Sequence, residues 1–255
     1  MKKTLVLVLS AVLLSSCANM NYNYLLQSGV KALQAATLTD AQIQAYVHQY
    51  VTQLDAQSPV LGENDAYTKR LRKLTSGLTQ VDGIPLNFKV YKTNEVNAFA
   101  CADGSVRVYS RLMDLMNDNE VLGVIGHEIG HVALKHTKKE MQAAMLTSAG
   151  MDVLASTNQN VAILTQSQLG AIGETILNAQ YSKKQESAAD DYAYSFLKAA
   201  GKSPACLAAG LTKLQSLENG SGNSSALVNK LFSSHPDTEA RIQRVKQRLA
   251  AEGIK

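Results

Sequence analysis

The chain has 255 residues, 45% of them hydrophobic and 18% charged, with 25 Lys and Arg against 21 Asp and Glu. That mix belongs to a globular protein, and the length allows one generous domain or two small ones. A net charge of +4 without a long basic run excludes the phosphate-binding stripe of a nucleic-acid protein, and three cysteines without a C-x-x-C pair exclude zinc fingers, iron–sulfur proteins and small disulfide scaffolds.

The first sixteen residues have the features of an export signal. Lys2 and Lys3 precede an almost unbroken apolar run from Leu5 to Leu14 that is too short to span a bilayer stably. Leu14-Ser15-Ser16-Cys17 resembles a bacterial lipobox, so Cys17 is expected to be lipidated, the alternative being an ordinary signal peptide with a stray cysteine. Ala18 after the cysteine, rather than Asp, resembles Gram-negative lipoproteins destined for the outer membrane, facing the periplasm. Residues 17–30 then form a tether, and 31–255 one domain without internal repeats.

Thr39 with Gln42 makes a capping box, and Ile43, Tyr46, Val47, Tyr50, Val51 and Leu54 share a face, which predicts a helix over 39–57. A second helix is expected over 64–78. Alternation of Leu86, Phe88 and Val90 predicts a strand, and two more are expected at 96–101 and 105–109, joined through Asp103-Gly104. Helices follow at 110–116, 118–137, 139–156, 167–180, 183–200, 204–218 and 237–251, with a loop from Asn219 to Ser225. The class is α+β, mostly helical with one small sheet.

The informative segment is Gly126-His127-Glu128-Ile129-Gly130-His131. Residues i and i+4 share a helix face, so His127 and His131 suit one Zn²⁺, while Glu128 stands beside the metal as a general base. Chance alone gives H-E-x-x-H in about one such sequence in 250. Two histidines leave a tetrahedral site incomplete. Leu134 and Thr137 stand where a metzincin would have Gly and His; His136 falls off the His131 face, and it and His48 read as surface or boundary histidines.

The third ligand is expected further along, where Ser182 and Gln185 cap a helix carrying Glu186 and Asp190 at i and i+4. Glu186 completes a His₂Glu site, and Asp190 hydrogen-bonds the outer nitrogen of a ligating histidine. Small Ala188 and Ala189 favour close helix packing.

From about Ala32 to Arg248 the chain resembles the HtpX and CAAX-prenyl-endopeptidase-like zinc metallopeptidases, in particular their periplasmic lipoprotein members. The resemblance rests on VNAFACADGSVRVYSRLMDLMNDNEVLGVIGHEIGHVALKH, QYSKKQESAADDYA and FSSHPDTEARI. It implies a mostly helical, gluzincin-type zincin with a small sheet beside the H-E-x-x-H helix. It implies zinc-dependent endopeptidase action on misfolded or membrane-associated polypeptides as quality control, with outer-membrane proteins or other proteases as partners. His235 and Arg241 flank the active site in that family and become candidates for transition-state stabilisation. His235 has a second expected role, as a latch that ligates the zinc in the resting enzyme. Val96 to Cys101 is expected to border the cleft, with Asn97 and Ala98 offering backbone groups to an extended substrate.

Two other functions share these residues, a chaperone or assembly factor with structural zinc and a zinc amidase acting on cell-wall peptides. Glu128 argues against the first, because a structural site needs no base. With Cys17 acylated, Cys101 and Cys206 remain in an oxidising compartment. They are expected either to pair or to stay as two buried thiols.

Overall fold

The computed structural model describes residues 39–145, 165–219, 235–236 and 238–254. Cys17, the export signal and the tether lie outside them, as do 146–164 and 220–225 of the expected loop.

Helix α1 (Asp40–Gln57) starts on the Thr39–Gln42 capping box and buries Ile43, Tyr46, Val47, Tyr50 and Val51, while Leu54 of the expected face is half-buried. Helix α2 (Ala66–Leu74) starts on Asp65, whose side chain accepts from the Tyr67 N–H. It stops short of residue 78, since Gly77 adopts a φ of 88°. A hairpin absent from the sequence-based expectation follows, β1 (Gln80–Val81) and β2 (Ile84–Pro85). Its turn is Asp82-Gly83, with φ of 47° and 81°, a pair that suits the twist of a tight hairpin.

Strands β3 (Asn87–Tyr91), β4 (Ala98–Ala100) and β5 (Ser105–Tyr109) form a sheet in the order β3-β5-β4. β3 runs parallel to β5, and β4 runs antiparallel to it along an outer edge. The sheet is tied to α1 by a charged cluster. Asp55 accepts from Arg107 Nε at 2.8 Å and Nη2 at 2.9 Å, from Lys89 Nζ at 2.7 Å and from the Tyr91 hydroxyl.

Helix α3 (Ser110–Leu115) leads into α4 (Asp118–Ala133), which carries the H-E-x-x-H motif and begins on the Asn117–Glu120 capping box. Every residue of α4 from Val121 to Val132 is buried, as befits a helix that is apolar nearly all round. The helix ends four residues before the expected position. Lys135 takes a φ of 56°, and a new helix, α5 (His136–Met145), starts directly after it. The remaining helices among the described residues are α6 (Gln166–Leu177), α7 (Lys183–Ala199), α8 (Ala205–Glu218) and α9 (Thr238–Ala251).

Glycines let two of these helices seat against α4. A Cβ on Gly123 would stand 2.0 Å from the Cys206 carbonyl oxygen of α8, and one on Gly130 would stand 2.5 Å from the Ala189 carbonyl oxygen of α7. The main core joins α4 to the sheet through Val90, Val106, Val108, Ile125 and Ile129. A second cluster packs Tyr46, Tyr50, Tyr91, Phe99 and Cys101 against Ile172 of α6. A third joins Tyr194, Leu207, Leu211, Ile242 and Val245 across α7, α8 and α9.

Of the two expectations for the cysteines, the disulfide is not the one realised. Cys101 and Cys206 are both free and buried, in different clusters, and Cys206 Sγ lies 3.6 Å from Asn119 Oδ1. Burial raises the pKa of each thiol, so neither is primed as a nucleophile.

Candidate metal centre

The contact of Gly130 with Ala189 turns α4 and α7 face to face, with His127 and His131 on one and Glu186 and Asp190 on the other. His131 Nε2 lies 3.1 Å from His127 Nε2 and 3.2 Å from Glu186 Oε1, and His127 Nε2 lies 3.4 Å from Glu186 Oε2. His235, just before α9, places Nδ1 3.2 Å from His127 Nε2 and 3.1 Å from Glu186 Oε1. Ligand atoms of all four residues fall within 4.8 Å of one another, the arrangement a single metal ion requires.

The buried charges fit a dication. Glu128, Glu186 and Asp190 are buried carboxylates, and one buried guanidinium, Arg241, stands among them. With the histidines neutral, the form that binds a metal, the balance is two negative charges, which a divalent ion offsets.

Each expected partner has a defined place. Asp190 Oδ1 lies 2.9 Å from His127 Nδ1, which leaves Nε2 of that ring for the metal. Arg241, 3% exposed, donates to Asp190 through Nε at 2.7 Å and Nη2 at 2.8 Å, and its Nη1 forms an ion pair with Glu186 Oε2. The sequence makes Arg241 a candidate donor to the transition state. The structure spends its donors on the two carboxylates, and its place is that of a clamp holding them. Glu128 lies 3.7 Å from His235 Nε2.

The electrostatics follow from burial and these contacts. Burial, opposed by His235 and His127, holds the Glu128 carboxyl above its usual range, which suits a base. Burial would raise Glu186 too, but the His127 charge and hydrogen bonds from His127, His131 and His235 hold it far below the ordinary carboxylate value. Asp190 is lowered to about 2 because Arg241 and His127 overcome its burial. Burial and the Arg241 charge depress His127, yet the Glu186 and Asp190 carboxylates push it up to about 9. Burial drives His131 the other way, well below its usual value.

Strand β4 borders the site, as expected, but its backbone is apportioned differently. The Asn97 carbonyl accepts from the Tyr109 N–H of β5 at 3.0 Å, so by alternation Ala98 and Ala100 turn their backbone groups to the free edge. The Asn97 side chain instead accepts from the Ala98 N–H at 2.9 Å. A cleft lined by Ala98, Ala100, Glu128, Tyr181 and His235 runs along that edge. On the far side of Glu128 an apolar pocket is walled by Val124, Leu207, Leu211 and Leu214.

Two residues at the centre escape the sequence-based expectation. His136 is 4% exposed, and its Nδ1 lies 3.0 Å from His131 Nδ1. It is not a surface or boundary histidine, because the Lys135 turn folds it back onto His131; burial lowers its pKa to about 4. His48 is exposed, as expected, and lies 3.2 Å from Asp103. Tyr181 sets its ring centroid 3.9 Å from that of His131. The signal for His136 was a fifth-position histidine after the motif; Tyr181 had only its position ahead of the Ser182 cap.

Comparison with known proteins agrees with this geometry. Residues 65–249 match peptidase family M48. The chain is 46% identical over 246 residues to metalloprotease LoiP of Escherichia coli K12, covering 96% of this chain and 95% of that protein. It is 41% identical over 254 residues to metalloprotease YcaL of the same strain, covering 98% of each. It is also 26% identical over 226 residues to the beta-barrel assembly-enhancing protease of that strain, covering 84% of this chain and 45% of the longer protein.

Proposed function

The chain belongs to peptidase family M48 and is a metalloprotease, and from that premise we propose that it is a zinc endopeptidase held by lipid on the periplasmic face of the outer membrane. There it cleaves misfolded or membrane-associated polypeptides. The observation that carries the chemistry is the convergence of His127, His131 and Glu186 beside a buried Glu128. The anchor rests on the lipobox-like Leu14-Ser15-Ser16-Cys17, with 1–16 as signal, 17–30 as tether and 31–255 as catalytic domain. The outer-membrane setting draws support from Ala18 and from the likeness to a protease named for β-barrel assembly. No described helix is long and apolar enough to cross a membrane.

His127, His131 and Glu186 would hold the zinc, which when bound would supply Lewis acidity toward water and the scissile carbonyl. Glu128 takes a proton from the attacking water and passes it to the leaving amine, a task that suits a carboxyl raised by burial. Asp190 fixes the His127 ring, and Arg241 holds Asp190 and Glu186 in register. An extended substrate pairs with the free edge of β4 through the Ala98 carbonyl and the Ala100 backbone and sets an apolar side chain in the pocket beside Glu128. His235 serves as a latch. Its Nδ1 stands 3.2 Å from His127 Nε2 and 3.1 Å from Glu186 Oε1, where it would close the site to water in the resting enzyme.

The test compares wild type with Glu128→Gln on an unfolded protein such as reduced casein. Wild type should cleave and stop on chelation, while Glu128→Gln should carry equal zinc and be inert. Cleavage by Glu128→Gln at the wild-type rate would remove the mechanism. Cys17→Ala should shift the protein from membrane to soluble periplasm, and an unchanged distribution would remove the anchor.

A further inference from the structure

A histidine that binds metal through Nε2 carries its ring proton on Nδ1, and a buried N–H needs an acceptor. For His127 that acceptor is Asp190. His131 turns Nε2 toward Glu186 and His127, so its Nδ1 points away from the centre, and the atom within reach is Nδ1 of His136 at 3.0 Å. We infer that His136 is the hydrogen-bond acceptor that fixes the tautomer and orientation of the metal ligand His131, a positioning residue of the metal centre. This rests on the zinc-site reading above.

The backbone is built to deliver this contact. Had α4 continued, residue 136 would lie well round the helix from residue 131. Instead Lys135 adopts a φ of 56°, a left-handed conformation unfavourable for a non-glycine residue, and the chain turns back so that the two imidazoles meet. Their ring centroids are 5.0 Å apart at 68°, an angle that lets an N–H of one ring meet a lone pair of the other. Tyr181 closes the third side, 3.9 Å from the His131 ring centroid and 6.0 Å from that of His136. The two ligating histidines are thus held by unlike acceptors, a carboxylate for His127 and a neutral imidazole for His131. The bond requires the remaining proton of His136 on Nε2 and its lone pair on Nδ1.

Zinc affinity measured by chelator competition on the full mature chain tests this, with the visible spectrum of the Co²⁺-substituted protein as a second readout. His136→Leu fills the space but accepts nothing. It should weaken zinc binding about 10–100-fold and alter the Co²⁺ spectrum. His136→Asn can place Oδ1 where Nδ1 stands and should stay within about threefold of wild type. Wild-type affinity and spectrum in His136→Leu would overturn the inference, as would His136→Asn binding as weakly as His136→Leu.

A measurement on the wild type alone serves if the variants fail to fold. In ¹⁵N-histidine-labelled, zinc-loaded protein, the His131 Nδ1 proton should show a scalar coupling across the hydrogen bond to His136 Nδ1. A His131 proton on Nε2, or an Nδ1 proton uncoupled to His136, would overturn the inference. Wild type that binds no zinc would overturn the parent reading; zinc-binding wild type with an indifferent His136→Leu overturns this inference alone.

Discussion

His127 and Asp190 stand 63 positions apart in the chain, yet Nδ1 of one lies 2.9 Å from Oδ1 of the other, both side chains buried. The carboxylate orients the imidazole, and Arg241 orients the carboxylate through two further hydrogen bonds. Asp190→Ala should therefore weaken zinc binding about 10–100-fold while leaving the three ligands in place. Chelator competition measures it, and unchanged affinity would mean that the His127 ring is held by packing alone.

Gly130 decides how closely α7 can bring Glu186 and Asp190 to α4. A Cβ there would meet the Ala189 carbonyl oxygen at 2.5 Å, a backbone atom that cannot swing aside. Gly130→Ala should cost about 1–3 kcal/mol of stability, as overpacking does, and reduce zinc affinity together with it. Thermal unfolding with and without zinc checks both effects. A variant with normal affinity and melting temperature would show that the helices yield without moving the site.

The H-E-x-x-H helix and the Glu186–Asp190 helix were legible in the sequence because period and capping chemistry agree there; both capping boxes form as expected. What escaped lay in the backbone between elements. Nothing about Lys135 announces a left-handed residue, since glycine is the usual occupant, so the periodicity carries α4 through it and puts His136 on the wrong side. The parallel pairing of β3 with β5 depends on the path of β4 and has no local signature. The Asp82-Gly83 hairpin did have one, but strands of two residues carry too little alternation to support it. Arg241 read as a free donor because its partners come from another helix.

His235 faces Glu186 and His127 through one nitrogen and lies 3.7 Å from Glu128 through the other. As a latch it would close the site to water, so His235→Ala should raise basal cleavage of an unfolded substrate or cause self-digestion. Zinc should still bind, held by the other three ligands. The assay is turnover by the folded, zinc-loaded variant. A variant slower than wild type on every substrate would instead make His235 a transition-state donor.

Asp55 couples stability to acid. Burial would raise its pKa, but hydrogen bonds from Arg107, Lys89 and Tyr91 outweigh that and lower it from 3.8. A lowered carboxylate pKa adds stability above the unfolded value, and that contribution is lost as pH falls below about 4 through the folded value. Asp55→Asn should cost about 1–3 kcal/mol at pH 7, with Arg107 left buried and poorly paired. The gap from wild type should narrow in acid. Denaturant unfolding across that range measures it; a gap independent of pH would assign the loss to packing.

The central claim is that His127, His131 and Glu186 jointly hold one zinc ion. Anomalous diffraction from a crystal of the full mature chain, recorded on both sides of the zinc edge, tests it most directly. The account predicts a single peak about 2.0–2.2 Å from a nitrogen of each histidine and from a Glu186 oxygen. A peak away from these residues, or one that leaves Glu186 outside the coordination shell, would contradict it.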